Sequence, residues 1–107
     1  MISVLLELGT RNEFFSVTAS GHAETAPRGF DIVCAAVSVL LRTAVIGLSE
    51  VNPQVNTAER GFLTCTVPSY AEDSLARLQF TAEFLANGMK TLVKEYPEAV
   101  YFRVKKL

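Results

Sequence analysis

The sequence predicts an α+β fold: a two-layer mixed β-sheet with two helices packed on one face, in the order β-β-α-β-β-α-β. Three observations predict it. Short apolar or alternating segments open and close the chain, and two longer stretches repeat their apolar residues at helical spacing. The 107 residues, 50% of them hydrophobic, suffice for one core but not for two, so residues 1–107 read as a single domain.

Ile2 to Leu8 is a strongly apolar strand, and Gly9 to Glu13 supplies a turn into a second strand, Phe14 to Ser20. There Phe15, Val17 and Ala19 alternate with Phe14, Ser16, Thr18 and Ser20, which gives one mainly apolar face and one mixed face. Gly21 to Phe30 reads as a loop. Asp31 then reads as the N-cap of a helix to about Gly47, with Val33, Ala36, Val37, Leu40, Leu41, Ala44 and Val45 on a broad apolar surface. Arg42 and Thr43 point towards another side. Val51 to Asn56 predicts a short strand for which Pro53 argues an edge position or an irregular start, and Glu59-Arg60-Gly61 turns into a clearer strand, Phe62 to Val67. Ser69 and Glu72 have capping-box spacing ahead of a long helix whose buried stripe is Leu75, Leu78, Ala82, Leu85, Met89 and Leu92. Pro97 stops that helix, and Ala99 to Val104 alternates as a last strand. Leu6, Leu8, Phe14 and Phe62 remain to make the sheet's other face partly apolar, a surface for a second copy to cover.

Ten basic and eleven acidic residues leave a net charge of −1, which offers little attraction to a phosphate backbone. Direct nucleic-acid binding is disfavoured, with Arg103, Lys105 and Lys106 as the one small basic run. The start lacks the pattern of a secretory signal, and the apolar run from Ile32 to Leu41 is too short to span a bilayer, so the chain reads as cytoplasmic, with no membrane partner. Cys34 and Cys65 read as free thiols, Cys65 as a buried structural one. His22, Cys34 and Cys65 have ligand-type side chains, but no close pairing among them suggests a metal.

The chemistry concentrates in Gly21-His22-Ala23 followed by Asp31-Ile32-Val33-Cys34-Ala35-Ala36-Val37-Ser38. With a helix starting at Asp31, Cys34 falls in the first turn, near unpaired amides and the positive end of the dipole, which favour a thiolate. His22, the single histidine, is then a candidate proton carrier, and backbone amides near Cys34 or the glycine loop would hold an oxyanion. Asp31 has two roles open to it, capping the helix or orienting His22. Ser38 lies one turn beyond Cys34, either bonding its i−4 carbonyl or lining the thiol pocket. Phe30 is a core anchor or part of a substrate pocket, and the segment 23–30 between the two motifs is a candidate lid with Gly21 and Gly29 as its pivots.

These two motifs, in this order and at this interval, resemble the bacterial ribosomal-processing cysteine protease family called Prp. The layout is similar over nearly the whole chain, with the specific signal between Gly21 and Leu40. The resemblance implies a two-layer α/β homodimer that removes an N-terminal extension from a large-subunit ribosomal protein. It assigns the catalytic histidine to His22, the nucleophile to Cys34 and an acidic residue of the site to Asp31. Gly21, Ala23, Gly29, Phe30 and Ser38 fall around the substrate, and neither a metal nor an organic cofactor is implied. Glu24-Thr25 departs from the glycine and aromatic residue of many relatives. The rival expectation is a non-catalytic ribosome-associated protein that captures an extended peptide by main-chain pairing.

Overall fold

The computed structural model describes residues 1–21, 28–57 and 61–107, with residues 28–31 described by backbone alone. Among these residues five strands form one mixed sheet with two helices on one face. In chain order they are β1 (Ile2–Leu8), β2 (Phe14–Ser20), α1 (Arg28–Gly47), β3 (Gln54–Asn56), β4 (Phe62–Thr66), α2 (Leu75–Glu95) and β5 (Val100–Lys106). The sheet order is β3-β4-β2-β1-β5, with β5 running parallel to β1 and every other pair antiparallel.

Alternation puts Ile2, Val4 and Leu6 of β1, Val17 and Ala19 of β2, Cys65 of β4 and Val100 of β5 on the helix side, all buried. The helices meet them with Val33, Val37 and Leu41 from α1 and Leu78, Leu85 and Met89 from α2. Each large side chain so enclosed contributes about 1.5–3 kcal/mol by leaving water. Gly88 lets the helices approach closely, since a Cβ there would lie 3.0 Å from a Leu40 methyl. At the other end of the pair, Arg77 donates to the Gly47 carbonyl at 3.3 Å.

A register shift at the β1–β2 turn corrects the strand reading. Glu7 pairs with Ser16 but Leu8 with Phe14, so Phe15 is the extra residue of a bulge. The bulge returns Phe14 to the core, where it is 1% exposed, instead of leaving it on the mixed face. Leu6 is equally buried and Leu8 pairs with Phe14 on the same side, so of the four residues expected on the outer face only Phe62, opposite Ser20, lies there. That face carries Ser3, Thr18, Thr64 and Thr66, with the Ser16 and Thr66 hydroxyls 3.2 Å apart, alongside Leu5, Phe62 and the exposed Tyr101.

Three boundaries also move. Ser49–Val51 is a 3-10 turn, after which Asn52 takes a left-handed conformation, so the edge strand shortens to Gln54–Asn56. The capping box is absent: Glu72–Ser74 form a 3-10 turn and Ser74 precedes α2. Glu72 is drawn away by Arg11, whose Nη1 donates to it at 2.8 Å. The last strand begins one residue later than expected and runs to Lys106.

Arg11 belongs to a cluster that locks the β1–β2 turn to the start of α2. Its Nη2 donates to the Tyr70 hydroxyl at 2.9 Å, that hydroxyl donates to Glu13 at 2.5 Å, and Gln79 donates to the Arg11 carbonyl at 2.9 Å. Glu13 is buried, and the Tyr70 hydroxyl holds its carboxyl below the ordinary value of 4.5. Asn12 takes the left-handed φ of 61° that this turn needs.

Candidate active site

At the opposite end of the hairpin the sheet and α1 part to leave a cleft of about 420 Å³. Ile2, Ala19 and Leu63 form its apolar floor, and Gly21, Gly61 and Phe62 lie at its strand-end rim. Along the helical wall stand Cys34, Ser38 and Arg42, at positions i, i+4 and i+8 on one face of α1. Cys34 is half-buried, in contact with the core and open to the cleft.

Gly21 is placed here by a backbone that only glycine tolerates. Its φ is +111°, its amide donates to the Gly61 carbonyl at 3.0 Å, and a Cβ would run into the Met1 carbonyl oxygen. Ser38 is exposed and its hydroxyl has no hydrogen-bond partner among the described residues. The expected bond to its i−4 carbonyl is not made, although Thr81 and Thr91 make that bond in α2 at 2.8 Å.

The start of α1 overturns two expectations. The helix begins at Arg28, so Asp31 lies inside its first turn and is not the N-cap, while Gly29 and Phe30 belong to the helix instead of to a loop reaching residue 30. Cys34 is consequently the seventh residue of α1, in its second turn. The unpaired amides belong to the first four helical positions, so the Cys34 amide is committed to the helical ladder and is no oxyanion donor. The dipole effect also fades within the first turn, which removes the helix start as the means of activating this thiol.

His22 and Ala23, and the candidate lid up to residue 27, lie outside the described residues, as do the side chains of Phe30 and Asp31 and the turn residues Glu59 and Arg60. Among the residues that are described, the structure brings Gly21, Cys34 and Ser38 to one cleft. Arg42, expected on another side of the helix, joins them, and its spacing of eight from Cys34 was the available signal. Thr57, Phe62 and Leu63 had no such signal, because only strand pairing brings them to the cleft, Phe62 and Leu63 through β4 on β2 and Thr57 at the end of β3 on β4.

Cys65 presents the opposite environment. It is fully buried on β4, and burial pushes its thiol up to about 11, as expected of a structural cysteine. That leaves Cys34 as the thiol within reach of a substrate.

The sequence profile of the family described as Cysteine protease Prp matches residues 1–101. The chain belongs to the Prp cysteine protease family. It is therefore a cysteine protease, which decides against the non-catalytic rival. A Staphylococcus aureus relative, "Ribosomal processing cysteine protease Prp", is 27% identical over 110 residues, covering 98% of this chain and all of the relative. A Streptococcus mutans protein of known structure is 27% identical, with a TM-score of 0.81 over 100% of this chain and 96% of the other. The fold also matches that of S. aureus Prp in complex with a substrate peptide, at TM-score 0.81 and 22% identity over 98% of this chain and all of the other. The α+β architecture of the Prp structures is thus shared here from end to end. Among the described residues, no helix is long and apolar enough to cross a membrane.

Proposed function

We propose that residues 1–107 act as one peptidase domain that removes the N-terminal extension from a bacterial large-subunit ribosomal protein. The single observation that carries the reading is the cleft shared by Cys34 and Gly21, because His22 is the next residue in the chain after Gly21. The ribosomal substrate follows the name of the S. aureus relative, a ribosomal processing cysteine protease.

In the proposed reaction the Cys34 thiolate, formed by proton transfer to His22, attacks the scissile carbonyl carbon. The tetrahedral intermediate collapses, the C–N bond breaks, and His22 gives its proton to the leaving amine. Water, deprotonated by His22, then attacks the thioester carbon, the C–S bond breaks, the acyl fragment leaves with a new carboxyl terminus, and His22 returns its proton to the Cys34 sulfur. Asp31, freed from capping, orients the imidazole. Gly21, Ala23, Gly29, Phe30 and Ser38 contact the peptide, which lies extended over the floor formed by Ile2, Ala19 and Leu63. Neither a metal nor an organic cofactor enters these steps. The enzyme works in the cytoplasm as a homodimer and does not engage nucleic acid directly.

The test is cleavage of a peptide spanning the extension junction by wild type, Cys34→Ala, Cys34→Ser and His22→Ala. Each variant is expected to lose at least about a thousandfold in turnover while still binding the peptide and keeping its fold. Wild-type cleavage by purified Cys34→Ala would overturn the assignment.

A further inference from the structure

A second groove lies away from the cleft, between α2 and β5, with a volume of about 360 Å³. Val93, Phe102 and Val104 form its floor, and the exposed Lys90 and Lys94 stand along its helical wall. β5 is an edge strand, paired on one side only, with β1. Ile2 donates to the Ala99 carbonyl at 2.9 Å and Leu107 donates to the Leu8 carbonyl at 2.9 Å, so the odd-numbered residues of β5 spend their main-chain groups on β1. In a parallel ladder the alternate residues then turn outward, leaving the amides and carbonyls of Phe102, Val104 and Lys106 on the open edge.

We propose that this edge binds an extended peptide of alternating apolar and acidic residues by strand addition. Such a strand pairs with the outward groups of Phe102, Val104 and Lys106, and every second side chain enters the groove over Val93 and Val104. The remaining side chains emerge on the other face of the sheet, beside Arg103 and Lys105, where carboxylates are favoured. Glu7, the cross-strand neighbour of Lys105, offsets part of that charge. Lys90, Lys94, Arg103, Lys105 and Lys106 form no ion pair among the described residues, in a chain whose net charge is −1. A second copy paired through Val104 fits the edge poorly. A two-fold antiparallel pair centred on Val104 sets the Arg103 of each chain against the Lys105 of the other, and like charges directly opposite repel. RNA would use the cations but neither the apolar floor nor the outward amides and carbonyls.

The proposal is independent of the chemistry at Cys34 and is tested by binding. The probe is fluorescein-labelled Glu-Val-Glu-Val-Glu-Val-Glu-amide, titrated against wild type, a Lys90→Glu/Lys94→Glu variant and Val104→Pro, each checked for fold by circular dichroism. Proline at Val104 removes one outward donor and none of the bonds to β1. Affinity is expected to fall at least about tenfold in both variants and at rising ionic strength. A copy of the peptide N-methylated at alternate amides tests the pairing from the ligand side and is expected to bind at least about tenfold more weakly in one of its two methylation registers. Absence of binding, equal binding of both N-methylated registers, or tighter binding of labelled oligouridylate would overturn the proposal. So would a β5-dependent dimer that excludes the peptide, seen by sedimentation. Cleavage of the junction peptide is expected to be unchanged in both variants.

Discussion

Cys34 and Cys65 border the same hydrophobic core, one on a helix and one on a strand, and their surroundings prepare them for opposite fates. Cys65 sits mid-strand between β2 and β3, fully enclosed, with its thiol pushed up to about 11 by burial. Cys34 keeps one side on the core and the other on an open cleft. The difference arises from the sheet ends. Gly21 and Gly61, both at positive φ, close the strand ends against one another and leave space beneath α1. A small protein thus holds an accessible sulfur without exposing its core.

The largest effect that would break this contrast is functional. Cys34→Ala is expected to abolish cleavage while leaving the melting temperature nearly unchanged, whereas Cys65→Ala is expected to cleave normally but lose about 1–3 kcal/mol of stability to the cavity it creates. Denaturant unfolding alongside the peptide assay reads both. Next in size is thiol reactivity. In the native protein iodoacetamide is expected to modify Cys34 alone, with Cys65 reacting more than about a hundredfold more slowly than in the denatured chain, as peptide mapping would report.

Gly21→Ala sharpens the account of the sheet end. A side chain at φ +111° meeting the Met1 carbonyl is expected to destabilise the fold by about 1–3 kcal/mol and to lower kcat/KM for the junction peptide, while Gly47→Ala, with open space around it, should do neither. The smallest effect lies at the far end of the hairpin. Because the Tyr70 hydroxyl holds the Glu13 carboxyl below 4.5, its contribution is present above that pH and is lost as pH falls through the lowered folded value. The melting-temperature gap between wild type and Tyr70→Phe is therefore expected to be widest near neutrality and to narrow as the pH falls below 4.5.

Hydrophobic periodicity made the element order, the stripe from Leu78 to Leu92 and the fate of Cys65 legible in the sequence, because burial follows directly from alternation and helical spacing. The Phe14 error came from the bulge, which inserts one residue and reverses every face beyond it. Asp31 looked like a cap because its residue type suits one, but capping depends on where the chain first turns. The Ser69–Glu72 box failed because Arg11, 61 residues from Glu72, competes for that carboxylate. The Arg11–Tyr70–Glu13 cluster left no trace in sequence for the same reason: its partners are distant along the chain. Of the cleft, Gly21, Cys34 and Ser38 were readable from their motifs, and Arg42 was misplaced despite sharing their spacing.

The most direct test of catalysis at Cys34 is to quench wild-type enzyme with acid during turnover of the junction peptide and map the acylated residue by mass spectrometry. A thioester is expected on the fragment containing Cys34 and none on the fragment containing Cys65. An acyl group on Cys65, or continued turnover once Cys34 has been stoichiometrically alkylated, would contradict it.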